Sequence, residues 1–208
     1  MKQPKKPALR FKGFVNDWEQ RKLENISAFI TKGSTPTTYG YDWVDYGIPF
    51  FRNDSIQENT FVYGNYSYIS NKANDALKRS EITAKDILIA ITGDIGKVGI
   101  VPDNIKKANI NQHMARVRIN KETVPYFVYQ YLATEKIQNE YQKIKTGLSM
   151  PQLSLDQIRS TIVLLPCYEE QCKISDYLSG LDNLLTLHQR KLEKLQNLKK
   201  AMLEKMFI

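Results

Sequence analysis

Residues 168–207 read YEEQCKISDYLSGLDNLLTLHQRKLEKLQNLKKAMLEKMF. A four-three spacing runs through Ile174, Leu178, Leu181, Leu185, His188, Leu192, Leu195, Lys199, Met202 and Met206, and eight of these ten positions are apolar. The acids Glu169 and Glu170 suit the positive end of a helix. The pattern predicts one helix from Gln171 to Phe207, roughly 55 Å long at about 1.5 Å per residue. That is more than a domain of this size can cover, so the stripe must lie against another helix. The remaining chain holds no helix of matching length. Pairing in trans is therefore expected, with His188 and Lys199 on the seam setting register or oligomeric state.

Upstream of this helix the chain reads as short β-rich runs broken by turn residues. They are Gly47–Phe51, Thr60–Ile69, Asp86–Thr92, Lys97–Val101 and His113–Ile119. DILIAIT, then Gly93-Asp94-Ile95-Gly96, then KVGIV predicts a hairpin with a glycine-bounded turn. Pro125 opens a helix over 125–145 that places Phe127, Tyr131, Ile137, Tyr141 and Ile144 near one face. Ser154 and Gln157 form a candidate capping box, and the β-branched run Thr161–Leu165 closes at Pro166. The expected class is α/β (α+β): a mixed or antiparallel sheet with flanking helices, followed by one long coiled-coil-type helix.

The chain has 208 residues, of which 42% are apolar and 25% charged, the composition of a folded globular protein. Its net charge of +8 favours a polyanionic partner. The excess is local: residues 1–22 carry seven Lys/Arg against two acids, and residues 97–121 carry six against Asp103 alone. The second stretch is a candidate electrostatic footprint for nucleic acid. Two cysteines, Cys167 and Cys172, give no disulfide framework, and with His113 and His188 they are too few for a zinc site. No apolar run follows the basic start, so neither a signal peptide nor a membrane span is expected, and the setting is cytoplasmic.

Catalytic patterns are missing. No Lys has an acid two residues before it, which excludes the common metal-dependent nuclease core. No phosphate-cradling Gly-x-x-x-x-Gly-Lys-Ser/Thr loop occurs, nor an Asn-Pro-Pro-Tyr or Asp-Pro-Pro-Tyr tetrapeptide that would hold an amino group for methylation. Gly93, Gly96 and Gly99 lie between two strands rather than before a helix, so they belong to a turn. His113 has no carboxylate partner near it in sequence. The chain is expected to catalyse nothing and to bind no cofactor or metal.

Residues suited to recognition cluster instead. The loop KGSTPTTYGYDW supplies Lys32, Ser34, Thr35, Thr37 and Thr38 as donors to phosphate oxygens, and Arg52 and Asn53 carry side chains able to pair with guanine or adenine edges. Each can equally be a polar loop residue facing water.

Taken in order, LRFKGFVNDWEQRKL, KGSTPTT, GIPFFRNDSI, DILIAITGDIGKVGI, INQH, TGLSMPQLSLDQI, IVLLP and the long lysine-rich helix resemble one half of a type I restriction-modification specificity subunit. The resemblance implies a basic N-terminus (1–8), a DNA target-recognition domain (9–166) and a spacer helix (167–208) for dimerisation and docking of methyltransferase subunits. It implies that the loop Lys32 to Tyr41 with Tyr39, the hairpin tip with Asp94 and Lys97, the segment Asn111 to His113 with Gln112, and the loop 145–150 with Lys145 and Ser149 face double-stranded DNA. It also places S-adenosylmethionine, ATP and Mg on the methyltransferase and restriction/translocase partners. Family members usually carry two recognition domains and two spacers, so a homodimer through Ile174, Leu178, Leu181, Leu185, His188, Leu192, Leu195 and Met202 would restore the pair. The alternative is an assembly adaptor whose globular part binds protein.

Overall fold

The computed structural model describes residues 6–64, 66–147 and 151–207. Two sheets carry the globular part. In the first, four strands lie antiparallel in the order β10 (Val98–Ile100), β9 (Ile87–Ala90), β12 (Met114–Ile119) and β2 (Ser27–Lys32). The second has the order β3 (Trp43–Val44), β7 (Ser67–Ile69), β4 (Ile48–Phe51), β11 (Ala108–Ile110) and β8 (Glu81–Ile82), with β11 parallel to β4. The short hairpin β5–β6 (Ile56–Gln57, Thr60–Phe61) stands apart, and β1 (Glu19–Lys22) pairs with β13 (Ile162–Leu165).

The period-2 geometry of a strand explains the layers. On β9, Ile87 and Ile89 face one core while Leu88 faces a second. On β4, Phe51 joins Leu88 and Phe50 turns to a third cluster with Ile69, Ala73 and Leu77. The largest core packs Ala115 and Val117 of β12 against α2 (Pro125–Ala133), α3 (Glu135–Ile144) and α4 (Leu155–Arg159). α1 (Asn71–Ala76) lies on the far side, where the buried Asn109 amide donates to Asn74 Oδ1 and Leu77 O.

The fold is the mixed α+β architecture expected, with differences of detail. The helix over 125–145 is two helices, because Thr134 adopts an extended conformation (φ −61°, ψ 143°) and its hydroxyl donates to Tyr131 O at 2.7 Å. A β-branched residue able to bond its own backbone competes with the helical ladder. Tyr141 and Ile137 of the expected apolar face are buried, whereas Ile144 is exposed. The run 60–69 divides into β6 and β7 around Gly64, whose φ of +48° breaks the strand. The capping box forms in full: Gln157 N donates to Ser154 Oγ at 3.2 Å, and Ser154 N to Gln157 Oε1 at 2.7 Å.

The long helix, α5, spans Tyr168–Met206, 39 residues, and starts one turn earlier than the periodicity indicates. At about 1.5 Å per residue it is about 58 Å long. Its first turns are sealed into the domain. Glu170, Gln171 and Ser175 are buried, and Gln171 Oε1 accepts from Val124 N while its Nε2 donates to Pro166 O. From Leu181 the apolar side chains are open: Leu185, Leu192, Leu195 and Met202 each expose more than half of their surface. No described helix is long and apolar enough to cross a membrane.

Candidate nucleic-acid interface

Strands β2, β9 and β12 end or begin at one edge of the first sheet, and the loops that leave them are stitched together there. Gly33 N donates to Met114 O (2.9 Å) and Ser34 N to Ile110 O (3.1 Å), laying the 33–41 loop on the segment 110–114. Only glycine permits this approach, since a Cβ at Gly33 would stand 1.9 Å from Asn111 O. The hairpin tip and the loop after α3 join through Thr92, which bridges Gln152, and through Leu153 N donating to Ile91 O (2.9 Å). A Cβ on Gly93 would meet Asn53 Nδ2 at 3.4 Å, so the turn beginning at Asn53 reaches the same edge.

A chain of side-chain hydrogen bonds crosses this edge. Thr35 Oγ1 donates to Gln112 Oε1, Gln112 Nε2 meets His113 Nε2 at 3.1 Å, and His113 Nδ1 meets Thr92 Oγ1 at 2.7 Å. The amide nitrogen has no lone pair to accept with, so it donates to His113 Nε2. Asn111, itself buried, holds the turn by accepting from His113 N at 3.2 Å. The polar row of half-buried Thr35, exposed Gln112 and half-buried His113 is thus pre-oriented, with few rotamers to freeze on binding.

The other expected contacts divide. Arg52 lies over the Trp43 ring at 5.4 Å and donates to Ser67 Oγ at 3.0 Å, so its guanidinium is positioned but partly engaged. Asp94 and Lys97 pair with each other at 2.8 Å, and Lys145 donates to Gln142 Oε1 at 2.9 Å. Lys32, Thr37 and Tyr39 are exposed and Ser34 is half-buried, while Tyr41 packs against the Phe50 cluster. Ser149 lies outside the described residues. Thr92 and Gln152, which hold the edge together, were not singled out from the sequence. The bridge that reveals them joins residues 60 positions apart and leaves no local signal.

The basic stretch 97–121 is only partly open: Lys106 and Lys121 are exposed, while its other basic residues are engaged. Arg118 donates to both carboxylate oxygens of Asp86 at 2.7 Å, and Lys107 stands 3.8 Å from Glu81. Arg116 is 5% exposed beside Arg118, and burial, with that neighbouring charge, pushes its pKa down to about 10. Both guanidiniums lie over Phe29, at 4.2 and 4.9 Å from the ring. On β12 alternate residues face opposite sides, so Ala115 and Val117 enter the main core while these arginines form a second, ionic layer. Among the described residues no cluster of three or more His, Cys, Asp or Glu could hold a metal.

Solved specificity subunits share this arrangement of sheets and long helix. The S subunit of a type I restriction-modification system from M. genitalium superposes with a TM-score of 0.64 at 15% identity, over 98% of this chain and 48% of that one. The HsdS subunit from Thermoanaerobacter tengcongensis gives 0.63 at 18% identity, over 97% and 47%. The family described as type I restriction modification DNA specificity domain matches residues 15–197, and the chain belongs to it. Relatives in sequence include the EcoBI specificity subunit of Escherichia coli (28% identity, covering 92% of this chain and 41% of the relative). A second is the putative MjaX specificity subunit of Methanocaldococcus jannaschii (29%, covering 90% and 42%). The chain thus spans less than half the length of the curated relatives it matches.

Proposed function

We propose that this chain reads one half of a bipartite double-stranded DNA target, without catalysing a reaction itself, and directs methyltransferase and restriction subunits to it. The observation that carries the reading is the convergence of five loop segments on one sheet edge, with Thr35, Gln112, His113 and Asn53 presented together. β12 separates this edge from the helix: its first residue adjoins the loops, and beyond its last the chain runs to Val124, which bonds Gln171 of α5. Recognition and assembly therefore occupy opposite ends of one strand. S-adenosylmethionine, ATP and Mg would bind to the partner subunits.

The helix supports a symmetric pair. Residues 168–189 hold four acids and one Lys, whereas residues 190–206 hold six Lys/Arg and two Glu. Antiparallel pairing of two copies sets the acidic half of each against the basic half of the other; parallel pairing would juxtapose like charges. Twofold symmetry would be mirrored in an inverted-repeat target with a fixed gap. The test is binding of duplexes by the chain with methyltransferase subunits present. One sequence should be preferred, with affinity falling steeply as salt rises. Binding indifferent to sequence overturns the reading in favour of a protein-binding adaptor.

A further inference from the structure

We propose that the cleft between α5 and the globular domain binds a linear polyamine, an alkyl chain carrying several ammonium groups. The cleft lies on the flank of α5 turned to the domain, and of the open apolar stripe only Leu185 lines it. The site is therefore independent of what covers the stripe.

Between Ser175 and Gln189 the helix stands off the domain and leaves a cleft of about 780 Å³, within the usual range for small-molecule sites. Its two sides differ. The domain side is mainly apolar, with Phe61 of β6, Ile100 of β10, Pro102, and Tyr126 and Tyr129 of α2. The helix side is a polar row, Ser175, Ser179, Asp182, Thr186 and Gln189, whose spacing of four and three puts it on one face. Asp176 and Asp103 also line the cleft and are exposed. Three Asp stand against Lys85, so the lining is acidic in a chain whose net charge is +8.

The hydrogen bonds of the cleft define what a ligand must bring. Tyr126 Oη donates to Asp182 Oδ2, and Gln130 Nε2 donates to the same oxygen at 2.8 Å, which fixes that carboxylate beside α2. Ser179 and Thr186 donate to their own helix, at Asp176 O (3.1 Å) and Asp182 O (2.8 Å), and their oxygens keep lone pairs to accept with. Ser175 is 5% exposed, and its hydroxyl has no partner among the described residues. Among the described residues none of the three carboxylates is paired with a Lys or Arg.

A buried unsatisfied hydroxyl calls for a partner, and an acidic cleft rich in acceptors calls for a cationic donor. An ammonium group donates three hydrogen bonds and accepts none. Asp176 and Asp182 are about 9 Å apart along the helix axis at about 1.5 Å per residue, opposite an apolar wall. Positive charge is thus required at separated points with methylene groups between them. A bare metal ion does not fit, since no group of three or more His, Cys, Asp or Glu among the described residues could hold one. Phosphates and nucleotides would meet the same three carboxylates and be repelled.

Isothermal titration of the full chain with spermidine tests this, at an ionic strength that screens attraction to isolated surface charges. Saturable one-to-one binding is expected, weakened about tenfold by Asp176→Asn and by Asp103→Asn, each of which removes a charge-assisted hydrogen bond. Ser175→Ala should weaken it about threefold and leave the melting temperature of the ligand-free chain no lower, because the lost hydroxyl had no partner. Putrescine, with one ammonium fewer, should bind more weakly than spermidine. Absence of saturable binding, or equal affinity in all three variants, overturns the site. Tighter binding of Nα-acetyl-lysine amide than of spermidine also overturns it, and assigns the cleft to a lysine side chain of a partner protein.

Discussion

The first and last thirds of α5 carry the same four-three apolar rhythm and meet opposite fates. Up to Leu178 the helix is built into the domain, with Gln171 and Ser175 buried and Ile174 packed against the main core. From Leu181 onward the leucines stand in the open. Periodicity specifies that a stripe will be covered and not what covers it. In the first third the cover is this chain's own N-terminal segment and α2; in the last third the described residues supply none.

Gly33→Ala places a methyl 1.9 Å from the Asn111 carbonyl oxygen, which cannot move without opening the edge where the loops meet. We expect a loss of about 3 kcal/mol, read as a shift of the urea midpoint with the slope unchanged. Leu132→Ala, in the sealed core beneath the helix, should cost about 2 to 5 kcal/mol in the same assay. Leu192→Ser should leave the domain's own unfolding within about 0.5 kcal/mol and instead abolish dimerisation by sedimentation. If Leu192→Ser destabilises a monomer as Leu132→Ala does, the open stripe is covered within the chain after all.

Smaller effects separate the two ends of β12. His113→Ala frees the Gln112 amide without touching the core, and duplex binding should weaken by about 1 kcal/mol at unchanged Tm. At the ionic layer, burial acts to raise the Glu81 pKa, but hydrogen bonds from Lys78 and Asn74 and the charges of Lys78 and Lys107 outweigh it and hold it below its ordinary 4.5. A depressed carboxyl contributes stability that is complete above its unfolded pKa and is lost as pH falls through the folded one. Glu81→Gln should therefore reduce stability slightly at neutral pH and flatten its acid-side decline, by urea titrations between pH 7 and pH 3.

Much of the architecture was legible in the sequence because it is local. DILIAIT-GDIG-KVGIV forms its hairpin as β9 and β10, Ser154 caps α4, and α5 is present to within a turn at each end. The split at Thr134 was not legible: Phe127, Ile137 and Tyr141 keep their helical spacing across it, and only backbone angles reveal the break. Charge misled for a related reason. The basic run 97–121 is a feature of sequence, whereas Glu81 of β8 and Asp86 just before β9 pair with two of its six basic residues, Lys107 and Arg118. Segments that the family resemblance assigns to DNA contact meet at one sheet edge, but the Thr35–Gln112–His113–Thr92 chain spans loops that only the sheet brings together.

On the function proposed above, one loop edge, doubled by antiparallel helices, reads a symmetric split site. Sequencing the adenines or cytosines methylated when this chain is reconstituted with methyltransferase subunits tests it most directly. A single inverted-repeat motif with one fixed gap length is expected. Methylation at an asymmetric motif, or at no consistent sequence, would contradict it.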